Sequence, residues 1–437
     1  MDNVESPRYI TAHVRNYSNI TCSEAPAQPM NIVIITQYYA PEPCAAAHRV
    51  QALAHALAAR GDRVKVIAPH PNFPTGTIHQ RYRNHAIIDE QDGPVRVTRL
   101  RHIATAQRFA RFLAWSSFAI LSAFYVTFFT RRLDCVIISS PPITLALPAL
   151  AARFIHRAKL VVDVRDVFPD LPVQMRAWAE RGFFATTIGA LAKFLYRTAA
   201  LVVVVTPTAL ERVRAREPRA NILLAPNGAD RITPAIGIIQ RKNSTKTAPE
   251  FIATFAGNMG LANGLDTLLD AAKLVASQNI RIVLIGGGAD LDHVQHRITE
   301  ESITNVELRG VLSREQAVGA LQESDASIVI LREGIEESIP TKIFDAFSVA
   351  CPVVLSAGGE AQRIVEEARG GICAPPGNPH ALADALIELQ KSPNRARTLG
   401  LNGQKFVHER YDRERIMSEL SARIDELFID ILTEAFQ

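Results

Sequence analysis

The feature that most constrains the fold is an alternation that occurs twice. In the first half, short runs rich in β-branched residues stand at 31–36 (NIVIIT), 63–68, 95–100, 134–139, 159–164, 201–206 and 221–226, most of them separated by helix-length stretches. The second half repeats the pattern at 251–257, 281–286, 305–310, 326–331, 351–356 and 370–375. Strands that are apolar throughout need cover on both faces, which a parallel sheet between two helical layers supplies. Right-handed crossovers should connect them. The fold class expected is therefore α/β, with two doubly wound Rossmann-like domains facing across a cleft.

A chain of 437 residues is long enough for two such domains. The polar, Pro- and Gly-broken stretch 227–250 reads as the junction. The expected boundaries are an N-terminal domain at 30–230, a linker at 231–250, a C-terminal domain at 251–410 and a closing segment at 411–437. Residues 1–29 lack the apolar core of a signal peptide and read as a disordered extension or a misassigned start, because Met30 opens a natural-looking beginning, MNIVIITQYYAPE. A formal charge of +4 gives no reason to expect a nucleic-acid partner. Five scattered cysteines without a CxxC pair suggest neither a disulfide framework nor a zinc site, and fit a reducing cytoplasm.

One segment complicates this reading. FLAWSSFAILSAFYVTFF, residues 112–129, carries no charge and is flanked by Arg108, Arg111, Arg131 and Arg132. Its length is at the lower limit of a membrane span. A buried helix, a helix lying on a membrane and a true span all stay open, the last disfavoured because strands and helices alternate on both sides.

Two stretches suggest anion chemistry. FAGNMGLANGLDTLL follows the first strand of the second half, and its Gly257, Gly260 and Gly264 permit close backbone approach to an anion. It contains no Lys or Arg. LIGGGAD at 284–290 lacks the third glycine of a dinucleotide fingerprint, because Leu291 stands there. In EGIEESIPTKIFDAF, Pro340 suggests a helix start, with Lys342 near its N-terminus, where free N–H groups and the helix dipole attract anions. Asp345 lies one turn on and Glu337 in the loop before. This arrangement suits a sugar nucleotide, and equally a solvated loop with a local ion pair. No acidic cluster has metal-ligand spacing.

The ordered series GNMGLANGLDTLL, IPTKIFDAF, CPVV and GGEAQRIVEEARGGICAPPGNPHALADAL resembles the C-terminal domain of glycosyltransferase family 4, retaining enzymes of the GT-B fold. QYYAPEPCAAAHRVQALAHALAARGDRVKVIAPHPNFPTG, SSPPITLALPALAAR, VVDVRDVFPDLPVQM and LLAPNGAD resemble its O-antigen and colanic-acid branch, the fucosamine-transferase type. The resemblance spans Met30 to about residue 410.

It implies roles. Glu337 would touch the donor sugar and Asp345 the ribose, Asp standing where the family usually has Glu. Gly257, Asn258, Gly260, Arg332 and Thr341 would help bind the donor, with Lys342 as the main cation and Arg332 a second source of charge. Asn258 and Asn263 stand where many members carry Arg and Lys. Cys44 and Ala45 to Ala47 replace a frequent Gly-Gly pair, leaving His48 and Arg49 to face the acceptor. Arg165 would also touch the acceptor, and Asp166 is the best candidate base. From the residues alone, His48 is equally a helix-surface residue, and Arg165 and Asp166 an ordinary ion pair. The resemblance further implies a UDP-sugar donor, an N-acetylated one among the candidates, and a lipid-diphosphate-linked acceptor. It implies no cofactor and no metal, a cytoplasmic location, and attachment of 108–132 to the inner-membrane surface. The segment from Tyr411 would cross back to the N-terminal domain. Two rival readings are a sugar-nucleotide epimerase and a decayed transferase acting as a binding partner. Sequence does not fix the oligomeric state.

Overall fold

A computed structural model describes residues 29–73, 75–105, 110–170, 182–232, 250–260 and 262–434. Of the expected extension only Pro29 lies within these bounds, and 233–249 of the expected linker lie outside them.

The first sheet contains β1 (Asn31–Ile35), β2 (Arg63–Pro69), β3 (Ile87–Asp92), β4 (Val95–Leu100), β5 (Cys135–Ser140), β6 (Lys159–Val164), β7 (Leu201–Val204) and β8 (Ile222–Leu224). Their order is β3-β4-β2-β1-β5-β6-β7-β8. All neighbours run parallel except β3, which pairs antiparallel with β4 at the edge. The sequence reading did not include β3. Its sequence, IIDEQD, is polar and weak in β propensity. Such a strand suits an edge, where charge discourages pairing with another chain.

The second sheet is wholly parallel, in the order β11-β10-β9-β12-β13-β14. Its strands are β9 (Phe251–Ala256), β10 (Ile280–Ile285), β11 (Val306–Gly310), β12 (Ala326–Ile330), β13 (Val353–Ser356) and β14 (Gly371–Ala374).

Helices cover both faces of each sheet. In the first domain, α2 (Arg111–Phe129), α3 (Ala146–Ile155), α4 (Phe183–Thr198) and α5 (Pro207–Arg216) share one core with the sheet. The opposite face is covered by α1 (Ala45–Ala59). In the second domain, α6 (Leu265–Leu274) and α7 (Leu291–Glu300) precede α8 (Arg314–Glu323), α9 (Thr341–Ser348), α10 (Gly359–Ala368), α11 (Pro379–Lys391) and α12 (Pro393–Arg410). The last described helix, α13 (Arg413–Glu434), returns to the first domain. There Ile416, Met417, Leu420 and Ile424 join Ile32, Ile34, Val50 and Leu53 in one core.

The two passages between domains run side by side. Ala229 donates to the Tyr411 carbonyl at 2.7 Å, and Arg413 donates back to Ala229 at 2.9 Å. Gly228 (φ +65°) is required here, since a Cβ would lie 2.9 Å from the Arg413 Cα.

Each sheet reverses its strand order at one point, between β1 and β5 and between β9 and β12. Loops at the carboxyl ends of strands beside such a switch point form a natural ligand crevice. The chain after β1 leads into α1, and the chain after β9 is the Gly-rich turn.

Candidate active site

Between the domains lie two neighbouring cavities, separated by the start of α9. The first, of about 260 Å³, is lined by Ala45, Arg165, Asp166 and Asn227 from one domain and Glu337 and Thr341 from the other. The second, of about 160 Å³, is lined by His48 and Phe73 from the first domain and Gly257, Asn258, Lys342 and Asp345 from the second. Pro340 occupies the N-cap of α9, just before the helical turns. Ile343, Phe344, Ala346, Phe347 and Ser348 are the helix's buried residues. That anchoring leaves Lys342 and Asp345, one turn apart, on the second cavity.

Lys342 is the most unusual side chain of the site. Its Nζ lies 3.7 Å from the centre of the Phe255 ring and donates to Asn263 Oδ1 at 3.1 Å. Among the described residues no carboxylate pairs with it. Burial pushes its pKa down to about 7, because the charged form has lost its water. Asn263 is fixed in turn by donating to the Asn258 carbonyl at 2.8 Å. Asn263 therefore positions the lysine.

The Gly-rich turn works differently from the sequence expectation. Gly257 N–H donates to the Ile285 carbonyl at 2.8 Å, so this amide is engaged in the sheet. Its glycine has a packing reason: at φ +140°, a Cβ would stand 2.5 Å from Lys342 Cε. Gly257 makes room for the lysine stem. Gly260 similarly leaves space for Asn258, whose Nδ2 would be 2.7 Å from an added Cβ. Asn258 itself is exposed on the cavity wall.

Other candidates divide between the cavities. The Asp345 carboxyl is raised by burial, with Arg314 opposing, and lies 3.5 Å from the Arg314 guanidinium. Glu337 pairs across the cleft with Arg212 of α5, which also bonds Asp170 at 3.2 Å. Arg165 is held by Ser139 Oγ at 3.0 Å and the Pro141 carbonyl at 2.7 Å. Burial raises the Asp166 carboxyl, with Arg165 opposing.

Three expectations are corrected. Arg49 does not face an acceptor: it is 1% exposed and bonds Asp163 at 2.7 Å and the Pro226 carbonyl at 2.9 Å. Its position on α1 belongs to the stripe turned toward the sheet, with Ala46, Val50 and Leu53. His48, the next residue, reaches the cleft, but on the cavity holding Lys342 and Asp345 rather than beside Arg165. Its Nδ1 accepts from Arg314 at 2.7 Å, and burial with Arg314 lowers its pKa to about 4, keeping it neutral. Arg332 is exposed and lines neither cavity, because its backbone is tied to Ala262 behind the turn.

Sequence reading missed Arg314, Arg212 and Glu360. Arg314 touches His48, Asp345 and Asp230, the last at 2.5 Å, and so joins both domains. Glu360 of α10 accepts from Thr208 Oγ1 at 2.6 Å and from its N–H at 3.2 Å, at the N-terminus of α5. A signal for Arg314 was present: SREQ, after a strand, is a capping box that puts residue 314 at a helix start on the cleft edge. Among the described residues no group of three or more His, Cys, Asp or Glu is placed to hold a metal ion.

Residues 45–228 match the glycosyl transferase 4-like domain, and residues 238–406 match glycosyl transferases group 1. The probable glycosyltransferase WbjE of Pseudomonas aeruginosa is 26% identical over 284 residues, 62% of this chain and 70% of that one. The putative colanic acid biosynthesis glycosyl transferase WcaI of Escherichia coli K12 is 20% identical over 89% of this chain and 98% of its own. Among solved structures, sucrose-phosphate synthase from Thermosynechococcus elongatus superposes with a TM-score of 0.71 at 19% identity, over 92% of this chain and 100% of that one. Anabaena HepE in complex with UDP-glucose gives 0.65 at 18% identity, over 90% and 99%. These likenesses show the GT-B fold.

Proposed function

For this glycosyltransferase of the GT-B fold, we propose retaining transfer of a sugar from a UDP-sugar to a lipid-diphosphate-linked saccharide, on the cytoplasmic side of a membrane, in cell-surface polysaccharide synthesis. The observation that carries this reading is Lys342: a partly buried amine with no carboxylate partner among the described residues, at a helix N-terminus, in a cavity shared with Asp345. A diphosphate is an anion that suits such a site. The name of WcaI, a putative colanic acid biosynthesis glycosyl transferase, supports the polysaccharide setting, and the UDP-glucose complex of HepE supports the donor class.

In this reading the donor diphosphate lies at the start of α9 against Lys342 and Asn258. Asp345 accepts from the ribose hydroxyls, and Glu337, in the adjoining cavity, from hydroxyls of the sugar. Thr341 sits between the two on the first cavity. The acceptor enters beside Arg165 and Asp166. Its hydroxyl oxygen attacks the anomeric carbon from the face the diphosphate leaves. The carbon–oxygen bond to phosphate breaks, and the hydroxyl proton passes to the departing phosphate oxygen. Lys342 and the helix dipole stabilise the charge that develops there, an effect on the order of 3 kcal/mol for one well-placed donor. Asp166 is the residue best placed to take the proton if the phosphate does not.

A screen of nucleotide sugars by mass spectrometry, with a membrane extract as acceptor, tests this. Transfer by the parent protein and a loss of about 100-fold or more in Lys342→Ala is expected. Conversion of the sugar without an acceptor would instead identify an epimerase. Donor binding without turnover would identify a binding partner.

A further inference from the structure

We propose that the outer faces of α2, α3 and α4 form one docking surface for an anionic bilayer, with α2 lying along a single leaflet. This stands on observations separate from the donor site and does not depend on the transfer reaction.

By length and composition α2 could cross a membrane: residues 112–129 have a mean hydropathy of 1.7. Its packing excludes that. Phe118 and Val126 are 0% exposed and belong to the core shared with α3 and the first sheet. His156, just beyond α3, hydrogen-bonds the Val126 carbonyl at 2.9 Å. A span would strip this stripe out of the domain. α2 is not a core helix either, because only a third of it is buried. Its other side presents Leu113, Ile120, Phe124 and Phe128 to solvent.

The apolar surface continues beyond α2. Phe154 and Ile155 are exposed on α3, and Phe183, Phe184 and Phe194 on α4. Of the 19 large hydrophobic side chains exposed among the described residues, 13 lie on these three helices. A patch concentrated this way marks an interaction face. Because all three helices share one core on one side of the sheet, their outer sides form a single layer.

Charge selects the occupant. The three helices contain no Asp or Glu. Arg131, Arg132, Arg157, Lys193 and Arg197, on them or just beyond their ends, are all exposed. Exposed aromatic and aliphatic side chains on helices whose own charges are all basic fit the acyl–headgroup boundary of an anionic bilayer. A second copy fits poorly, since a two-fold contact sets like charges against each other.

The test uses the full chain and sedimentation with vesicles of phosphatidylcholine alone or mixed with phosphatidylglycerol. Binding that needs the anionic lipid and weakens with salt is expected. The double substitutions Leu113→Glu with Phe124→Glu, and Phe154→Glu with Phe184→Glu, should each reduce binding at least tenfold. Replacing Arg131, Arg132, Lys193 and Arg197 by Ala should reduce it by about fivefold per residue. Circular dichroism of each variant excludes unfolding, and the basic-residue variant, which alters no apolar contact, remains decisive if a Glu variant fails to fold. Failure of the parent protein to bind, or unaltered binding by the folded variants, overturns the proposal. So does resistance to carbonate extraction, which indicates a span. A dimer that dissociates in the Glu variants by light scattering overturns it in favour of self-association.

Discussion

Position 257 shows how one residue serves another element. Its glycine leaves the volume that the Lys342 stem fills, and its φ of +140° disfavours any L side chain. Gly257→Ala should therefore displace Lys342 and weaken donor binding without unfolding the sheet. Calorimetry with UDP-glucose checks this, and unchanged affinity would show that the stem moves freely. The lysine also sets a pH dependence. Because burial has lowered its pKa to about 7, Lys342 in the free protein is neutral above that pH and charged below it. A diphosphate favours the charged form, so binding above pH 7 takes up a proton. Affinity for UDP-glucose should be steady below pH 7 and fall by up to about tenfold per pH unit above it. Calorimetry in two buffers of different ionisation enthalpy measures the proton directly. Arg314 offers a third test: Arg314→Ala removes the cation between His48 and Asp345, and should raise the donor KM more than it lowers kcat.

At the scale of elements, what could be read from sequence followed from periodicity. Runs such as VIIS before Ser140 and VVVV from Val202 are buried on both faces, and all thirteen runs read as strands contain one. β3 escaped because an edge strand needs no apolar pattern. The position of a candidate residue was legible where a helix start announced itself, as at Lys342. They were illegible where a role depends on which face of a helix turns inward. His48 and Arg49 are neighbours, yet one reaches the cleft and the other is sealed against Asp163. Arg314 reaches His48 and Asp230, and Arg212 reaches Glu337, only when the domains meet, which no local pattern encodes. The closing helix supplies an element-scale prediction. Leu420 is 1% exposed on α13 within the first domain's core. Leu420→Ala should destabilise that domain by about 2–5 kcal/mol, seen as a lower urea midpoint at an unchanged slope.

Across the whole molecule, contacts on both sides of the cleft hold the domains in register. Arg212 with Glu337 and Thr208 with Glu360 join α5 to the second domain, and Arg314 joins α8 to α1. Removing Glu360 and Arg314 together should enlarge the radius of gyration in small-angle scattering, whereas an unchanged profile would mean that the hinge alone sets the domain angle. Acid should act on the first domain more broadly. His48, His70 and His102 each have a pKa lowered to about 4 by burial. The unfolded chain takes up these protons near pH 6.5, before the folded one does, so stability should fall as pH drops from 6.5 toward 4. Urea midpoints across that range measure the loss.

The return of α13 has a consequence for how the protein is made. The core around β1 and α1 is completed by side chains more than 350 residues downstream of Ile34 and Val50. On the ribosome, the first domain emerges with that groove uncovered and keeps it so throughout synthesis of the second. It is the first to begin folding and the last to finish. A chain released before residue 413 would carry a complete second sheet and an apolar wound in the first.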